Sequence, residues 1–298
     1  MSVMEPTDHS PGPAGGPVWG QRRRRRWQAG ITYVLIVVGL LWVIVPLAWM
    51  LSSALKDNVD IFRFPPDLLP AHPAWGNFVA AFTAIPFLRY LGNSLLIAVP
   101  ATVGTVFSAA CAAYAFARLR FPGSRLLFVI TLATLIIPDA VTLVPGYLIF
   151  SWLGWVGTDL PLIVPSFFGG GAFNIFLLRQ FFRSIPRALD DSARVDGATF
   201  FQVFWHIIVP QSIPALSAVG IFDFVSHWND FFGPLIYLAN QDQYTLTVGL
   251  ASFRDIYGNT QWNLLMADSL LATIPVVVIF FLFQRVFIQG IVVSGIKG

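Results

Sequence analysis

The sequence predicts an all-α, polytopic membrane protein with six transmembrane helices. Of its 298 residues, 56% are apolar and only 11% are charged, whereas a soluble domain carries about 25% charged residues. Several long runs are nearly free of charge, and a bilayer core needs about 20 apolar residues for each helix that crosses it. Basic residues are also distributed unevenly among the segments between these runs. A water-soluble protein is therefore excluded.

The amino-terminal part separates into a tail and a first span. Residues 1–26 are predicted to be a disordered cytoplasmic tail, because the first 21 are rich in proline and glycine. The apolar run at 31–51 is longer than the core of a signal peptide, which has about 7 to 15 residues, and no small-residue cleavage site follows it. We expect an uncleaved span and a transmembrane domain over residues 27–298.

Five further runs complete the predicted set of six spans. They lie at 90–117, 126–150, 160–178, 207–238 and 264–283. With six spans both termini lie on one side, and that side would hold 14 of the 18 lysines and arginines, against 4 on the other. Because basic segments are retained in the cytoplasm, both termini are predicted to be cytoplasmic.

Several classes of site are absent from the sequence. The single cysteine, Cys111, lies in a predicted span and excludes a disulfide framework or a cysteine-rich metal site. Lys56 follows leucine and Lys297 follows isoleucine, so neither belongs to a Gly-Lys phosphate-binding loop. The only glutamate, Glu5, excludes an H-E-x-x-H motif. The arginine run at 22–26 is too local to indicate nucleic-acid binding. We expect no catalytic residue, metal or cofactor, and no ATPase site of the chain's own.

The inner segment at 179–206 is predicted to contain a short, well-defined helix of about 11 residues. Pro186 suits its first position and Gly197 offers a left-handed stop. Asp190 and Arg194 have the i,i+4 spacing of a favourable pair. The face with the small side chains could dock on a cytoplasmic partner, or the helix could rest on lipid headgroups; the residues alone favour neither.

A second helix is predicted to begin directly after Gly197. Thr199 and Gln202 have the spacing of a capping box. We expect this helix to run on as a rigid rod into the fifth span.

Four carboxylates fall inside predicted spans, where acids are costly and mark a pathway or a partner. They are Asp139, Asp223, Asp230 and Asp268. At 1.5 Å of rise per residue they lie in the outer half of the membrane, roughly 20 Å or more from the inner ends of their spans.

The fifth span carries five of the side chains that could meet a polar solute. Asp223, His227 and Asp230 share one helix face, and Trp228 and Asn229 flank it. Carboxylate, amide and indole groups suit a sugar, whose hydroxyls bond polar groups while its C–H face packs on a ring. The alternative is that Asp223 and His227 lock helices together and Trp228 belongs to the interfacial aromatic belt.

The inner segment resembles the signature of permease subunits of bacterial binding-protein-dependent ABC importers, E-A-A, three residues, Gly, nine residues, I-x-L-P. The first three positions of the signature are occupied by Asp191, Ser192 and Ala193, and its glycine is Gly197. Its last part reads I-x-V-P here, with Ile207, Val209 and Pro210. Both spacings are intact, with Asp for Glu, Ser for Ala and Val for Leu. Further stretches are similar to the carbohydrate-uptake branch, and to the second, smaller permease of the maltose transporter family: N-S-L-L-I-A-V-P, A-A-Y-A-F-A-R-L-R-F-P-G, W-N-D-F-F-G-P-L, Y-T-L-T-V-G-L and the carboxyl-terminal Q-R-V-F-I-Q-G-I-V-V-S-G-I-K-G.

This resemblance implies a type I ABC importer permease in a bacterial inner membrane. It implies a heterodimer with a second permease, cytoplasmic ATPase subunits, an extracytoplasmic solute-binding protein and a sugar as substrate. The residues expected to couple the chain to the ATPase are Asp190, Asp191, Ser192, Ala193, Arg194 and Gly197. The residues expected along the substrate path are Asp139, Asp223, His227, Trp228, Asn229, Asp230 and Asp268.

Three alternatives stay open on the sequence. A secondary transporter or channel would use the outer acids to bind coupling ions, but it lacks a detectable inverted repeat and leaves the docking segment unexplained. A membrane-embedded enzyme lacks a nucleophile and base. Within the importer class, glycerol phosphate or a polyol could replace the sugar, and the partner permease could make the main substrate contacts.

Overall fold

The computed structural model describes the backbone of residues 18–253 and 260–295. It describes the side chains of residues 27–253 except Asp139, and of residues 260–284. Every regular element in these ranges is helical, which agrees with the predicted all-α class. The chain divides into two compact units, residues 1–52 and 53–298.

The first unit consists of most of helix α1, Val18–Ala54. This helix contains the predicted first span and begins inside the segment predicted as a tail, whose residues 1–17 lie outside the described part. Its side chains are apolar and exposed, among them Val37, Leu41 and Trp42. Such a surface is expected of a helix solvated by lipid or by other membrane helices.

The second unit contains the remaining helices. In chain order they are α2 (Asn58–Ile61), α3 (Gly76–Ala84), α4 (Phe87–Arg118), α5 (Ser124–Ala133), α6 (Asp139–Trp152), α7 (Leu160–Ile163), α8 (Ser166–Gly169), α9 (Ala172–Ser184), α10 (Arg187–Val195), α11 (Phe200–Val203), α12 (Val209–Gln211), α13 (Ile213–Asn229), α14 (Phe232–Tyr237), α15 (Leu246–Ala251) and α16 (Trp262–Gly295). A π-helical stretch, Phe204–Ile208, connects α11 to α12.

Four helical stretches of the described chain are long and apolar enough to cross a bilayer. They are Trp27–Ala54, Phe87–Arg118, Leu160–Ser184 and Trp262–Gln284. Two more candidates are bent pairs, Ser124–Ile136 with Ala140–Trp152 at 104°, and Phe200–Gln211 with Ile213–Asn229 at 77°. Counting each pair as one span gives the predicted six, which is thus the upper count.

Both bends occur where proline interrupts the helical hydrogen bonds. Ile137 precedes Pro138 and is extended, with ψ 117°, because the proline ring disfavours the α conformation of the residue before it. In the second pair Pro210 and Pro214 lack amide protons, and Ser212 between them departs from helical geometry. The predicted rigid rod into the fifth span is therefore wrong, and a hinge-like bend takes its place.

Helix α4 is the central element of the second unit, packing against α7, α8, α9, α13 and α15. Its buried face is lined largely by alanine, which lets neighbouring helices approach closely. The largest cluster of buried side chains joins α4 to α9, the π stretch and α13; it includes Ala113, Tyr114, Leu178, Phe182, Ile208 and Val219. This cluster lies beside α10 and supports the segment that the sequence singles out.

Candidate functional site

Helix α10 is a defined nine-residue helix with regular ends. Pro186 lies one position before it, at the N-cap rather than at the predicted first helical position. At the other end Gly197 has a φ of +85°. The amide of Ala198 donates to the carbonyl of Ala193 at 2.9 Å, and that of Gly197 to the carbonyl of Arg194 at 3.0 Å. These two bonds form a Schellman motif and confirm the predicted glycine stop.

The predicted capping box after Gly197 is also present. The amide of Thr199 donates to Oε1 of Gln202 at 2.7 Å, and the amide of Gln202 donates to Oγ1 of Thr199 at 3.4 Å. This capping box forms the start of α11. The Schellman motif at the end of α10 and the capping box at the start of α11 therefore follow each other directly. Two consecutive capping devices thus fix the direction of this segment.

One side of α10 is anchored by a buried ion pair. Asp190 Oδ2 lies 3.4 Å from Nη1 of Arg118, and the two side chains are 6% and 1% exposed. The other terminal nitrogen of Arg118, Nη2, donates to the carbonyls of Phe182 at 2.6 Å and Ile185 at 2.8 Å. These carbonyls stand at the end of α9, where a helix leaves acceptors unpaired. Arg118 therefore ties the ends of α4, α9 and α10 together.

This arrangement corrects the expected pair of Asp190 with Arg194. Asp190 turns into the chain, whereas Arg194 is exposed and places its guanidinium carbon 4.7 Å from the centroid of the Phe200 ring. The reason is burial: a carboxylate that the fold removes from water needs a fixed cation, and Arg118 supplies it. Asp190 acts as an anchor of the helix, and the outward surface is formed by other residues.

The outward surface of α10 is small, polar and charged. Asp191, Ser192 and Arg194 are exposed, Ala193 is half-buried, and Val195 at the end of the helix is 87% exposed. Three of the six predicted coupling residues, Asp191, Ser192 and Arg194, are therefore exposed on α10, with Gly197 exposed just beyond it, whereas Ala193 packs against the buried cluster.

Arg118 and Tyr114 are the residues of this site that sequence reasoning missed. The hydroxyl of Tyr114 donates to the carbonyl of Phe200 at 3.1 Å, which fixes the start of α11 against α4. A signal was available: Ala110, Tyr114 and Arg118 follow i, i+4, i+8, and this phase continues the alanine-rich face of α4 that packs inward. An arginine on such a face needs a buried partner.

The structure brings together only part of the predicted substrate path. His227 Nε2 lies 3.4 Å from Asp223 Oδ2 on partly buried α13, so two of the three residues expected on one face meet, whereas Asp230 follows the end of the helix with an extended backbone. Asn229 is exposed and donates through its side-chain amide to the carbonyl of Val225 at 2.8 Å. Asn229 is thus exposed and His227 is partly exposed, whereas the Asp223 side chain is only 12% exposed and its Oδ2 is buried.

Trp228 and Asp230 are held by other parts of the fold. Trp228 is buried, and its indole nitrogen donates to the carbonyl of Ala272 at 3.1 Å. Asp230 Oδ1 accepts from the amide of Gly233 at 3.1 Å, while its carbonyl accepts from Thr247 Oγ1 at 2.7 Å. The stretch W-N-D-F-F-G-P-L therefore builds a turn between α13 and α14.

The last two predicted path residues lie apart from this group. Asp268 is fully buried in α16, and neither of its carboxylate oxygens has a hydrogen-bond partner among the described residues. The side chain of Asp139 lies outside the described residues. Among the described residues, no cluster of histidine, cysteine, aspartate or glutamate has the arrangement of a metal site.

Comparisons with known proteins agree on one family. Residues 104–293 match the model of "Binding-protein-dependent transport system inner membrane component". The chain is 35% identical over 278 residues to the probable ABC transporter permease protein YurM of Bacillus subtilis (strain 168), covering 92% of this chain and 91% of that protein.

A second relative and a solved structure extend the match. The arabinooligosaccharides transport system permease protein AraQ of Halalkalibacterium halodurans is 31% identical over 271 residues, covering 89% of this chain and 96% of AraQ. A chain in the crystal structure of a bacterial ABC transporter involved in the import of the acidic polysaccharide alginate matches with a TM-score of 0.76 at 22% identity, covering 88% of this chain and 97% of that one. The latter likeness concerns the fold alone.

Proposed function

The chain belongs to the inner membrane components of binding-protein-dependent transport systems, and we propose that it forms, with a second permease, the translocation path of an ATP-driven importer for a sugar or sugar-like solute. The observation that carries this proposal is helix α10, anchored on one side through Asp190 and exposed on the other. AraQ, by its name a permease for arabinooligosaccharides, supports the substrate class.

The proposed energy source is ATP hydrolysis by a pair of cytoplasmic ATPase subunits that bind α10. Asp191, Ser192, Ala193, Arg194 and Gly197 form the contact surface, in which small side chains allow close seating and charged ones pair across the interface. Asp190 supports this surface from behind. Because Arg118 holds α4, α9 and α10 together, movement of α10 is passed to the central helix of the bundle.

The distribution of basic residues supports the proposed orientation. Both termini and α10 face the cytoplasm of a bacterial cell, with residues 1–26 as a tail and residues 27–298 as the permease domain. The coupling loop comprises residues 179–206. The opposite face receives a solute-loaded extracytoplasmic binding protein.

The proposed substrate path follows the polar groups of α13 near its outer end. Asp223, His227 and Asn229 offer acceptors and donors for hydroxyl groups. Trp228 and Asp230 contribute indirectly, since they hold α13 against α16 and shape the turn after it. Asp139 and Asp268 remain candidate path residues, although Asp268 would need a rearrangement to meet a solute, because it is fully buried.

Reversing the charge of Asp191 is expected to separate transport from assembly. In proteoliposomes containing the complete complex, Asp191→Lys should lower ATP-driven uptake about tenfold or more, the range of a disrupted interface hot spot. Asp196→Lys is the matched control, because Asp196 is also exposed at the end of α10 but lies outside the contact surface. Wild-type uptake by Asp191→Lys, with normal amounts of protein in the membrane, would contradict the coupling role.

Removing the carboxylate of Asp223 is expected to impair solute passage. Asp223→Ala should lower both uptake and substrate-stimulated ATP hydrolysis, because its hydrogen-bonding capacity and its contact with His227 are lost. Asp242→Ala, at an exposed outer position, is the control for charge. Uptake of arabino-oligosaccharides and of glycerol phosphate is measured side by side. Unchanged rates in Asp223→Ala would remove it from the path, and uptake without ATP would favour a secondary transporter.

A further inference from the structure

Two cavities of opposite chemistry adjoin where α4 ends beside α10. The first has a volume of about 490 Å³ and is lined mainly by arginine and aspartate side chains. The second has a volume of about 280 Å³ and is lined almost entirely by apolar and aromatic side chains. Leu119 and Phe200 belong to the walls of both. The two cavities therefore adjoin across these side chains, and together we call them the depression, which is polar at one end and apolar at the other.

The polar cavity carries an excess of positive charge. Arg118 and Asp190 in its wall neutralise each other. Arg120, Arg187 and Arg194 then face a single further carboxylate, that of Asp191, and all four of these side chains are exposed. The planar guanidinium group matches the oxygens of a phosphate in two parallel hydrogen bonds. This end of the depression is suited to a phosphate-bearing anion.

The apolar groove runs along one side of α4. Phe107, Cys111 and Leu119 lie along this wall. From residue 107 to residue 119 the helix rises about 18 Å, somewhat more than one leaflet of a hydrocarbon core that is about 30 Å thick. This wall of the groove is therefore about as long as a single layer of acyl chains is thick.

The opposite wall of the groove is formed by the irregular start of the fifth span. Phe201 and Trp205 line it, and Trp205 belongs to the π-helical stretch Phe204–Ile208. The wider π turn shifts side chains away from regular helical positions, a feature that is frequent at functional sites. Arg194 lies over the ring of Phe200 at the junction of the two cavities.

We propose that this depression binds one anionic phospholipid, with its headgroup phosphate between Arg120 and Arg187 and an acyl chain in the aromatic groove. A free anion or an acidic side chain would occupy only the polar cavity, whereas two adjoining cavities of opposite chemistry suit an amphiphile that lies across Leu119 and Phe200. Basic pockets at the membrane boundary bind lipid headgroups in this way. The bound lipid would touch α10 directly, so the site places membrane composition beside the coupling surface.

Native mass spectrometry of the purified membrane complex tests the headgroup end. Wild type is expected to retain one phosphatidylglycerol per copy of this chain after delipidation and to discriminate against phosphatidylcholine. Arg120→Gln with Arg187→Gln should bind phosphatidylglycerol about 25-fold more weakly, because each arginine near an anionic headgroup contributes roughly a factor of five. Arg125→Gln with Arg183→Gln is the control, because it removes the same charge from exposed arginines outside the cavity. Equal retention by all three forms would overturn the proposal.

A second pair of variants tests the acyl-chain end. Cys111→Trp fills the groove and should reduce phosphatidylglycerol retention, whereas Cys111→Ser leaves the space open and should retain it. Millimolar inorganic phosphate should fail to displace the lipid. Complete displacement by phosphate would identify a free-anion site, and undiminished retention by Cys111→Trp would show that the groove holds no acyl chain; either result would overturn the proposal. These measurements record lipid binding and not transport, so their outcome is independent of whether the proposed importer function is correct.

Discussion

Asp190→Ala is expected to destabilise the protein by about 3–5 kcal/mol, the cost of leaving one member of a buried ion pair without its partner. Arg118 is only 1% exposed in its side chain and would remain charged in a closed environment. Its hydrogen bonds to the carbonyls of Phe182 and Ile185 hold the guanidinium group in place. If the side chain rotated into water, these carbonyls would lose their donor. The free energy of unfolding in a mixed-micelle titration of the purified protein measures the effect.

The controls for this variant separate burial from charge. Asp196→Ala removes an equally charged but exposed residue of the same segment and should change stability by less than about 0.5 kcal/mol. Arg118→Met combined with Asp190→Leu should cost less than the sum of the single changes, because no isolated charge is left. A stability of Asp190→Ala within error of Asp196→Ala would show that the pair does not anchor α10.

Gly170→Ala is expected to disrupt the packing of α9 on α4, with a loss of about 2–5 kcal/mol from overpacking and backbone strain together. A Cβ atom at this position would lie 2.6 Å from the amide nitrogen and 2.7 Å from the Cα of Ala109. These are backbone atoms in the middle of a helix and cannot move aside. Gly170 also has a φ of +60°, which favours glycine. Thermal unfolding and the yield of folded protein in the membrane measure the effect.

The neighbouring glycine provides the control for Gly170. A Cβ on Gly169 would meet no atom within 4 Å, so Gly169→Ala should be tolerated. Ala109→Gly should not rescue Gly170→Ala, because the two closest contacts are with the backbone of residue 109 rather than with its methyl group. Rescue by Ala109→Gly, or equal stability of the two alanine variants, would contradict this explanation.

The inner segment shows how far local signals reach. Pro186, Gly197, Thr199 and Gln202 each act through bonds to residues a few positions away, so their roles can be read from spacing. The structure places the helix end and the capping box where this spacing predicts them. The straight helix predicted after the capping box is not present, because the chain bends near Pro210 and Pro214. Both prolines are visible in the sequence, but their combined effect on the direction of the chain depends on packing.

The candidate substrate path shows the limit of the same reasoning. Asp223 and His227 meet because they lie one turn apart on a single helix. Trp228 was expected beside a solute or in the interfacial belt, but it packs inward, with Ala272 on α16 as its partner. The Asp230 side chain accepts a hydrogen bond from the amide of Gly233, and its backbone carbonyl accepts one from Thr247. Which face of α13 turns inward depends on α16, and no periodicity within α13 contains that information.

The sequence by itself determined the membrane class, the approximate places of the spans, the ends of α10 and the residues of its outward surface. These features follow from composition and from interactions within one or two helical turns. The tertiary structure decided that Asp190 pairs with Arg118, 72 positions earlier in the chain, and that an arginine-lined cavity adjoins an aromatic groove beside this pair. Buried charges take whichever partner the packing of distant helices brings within reach, and local spacing cannot specify that partner.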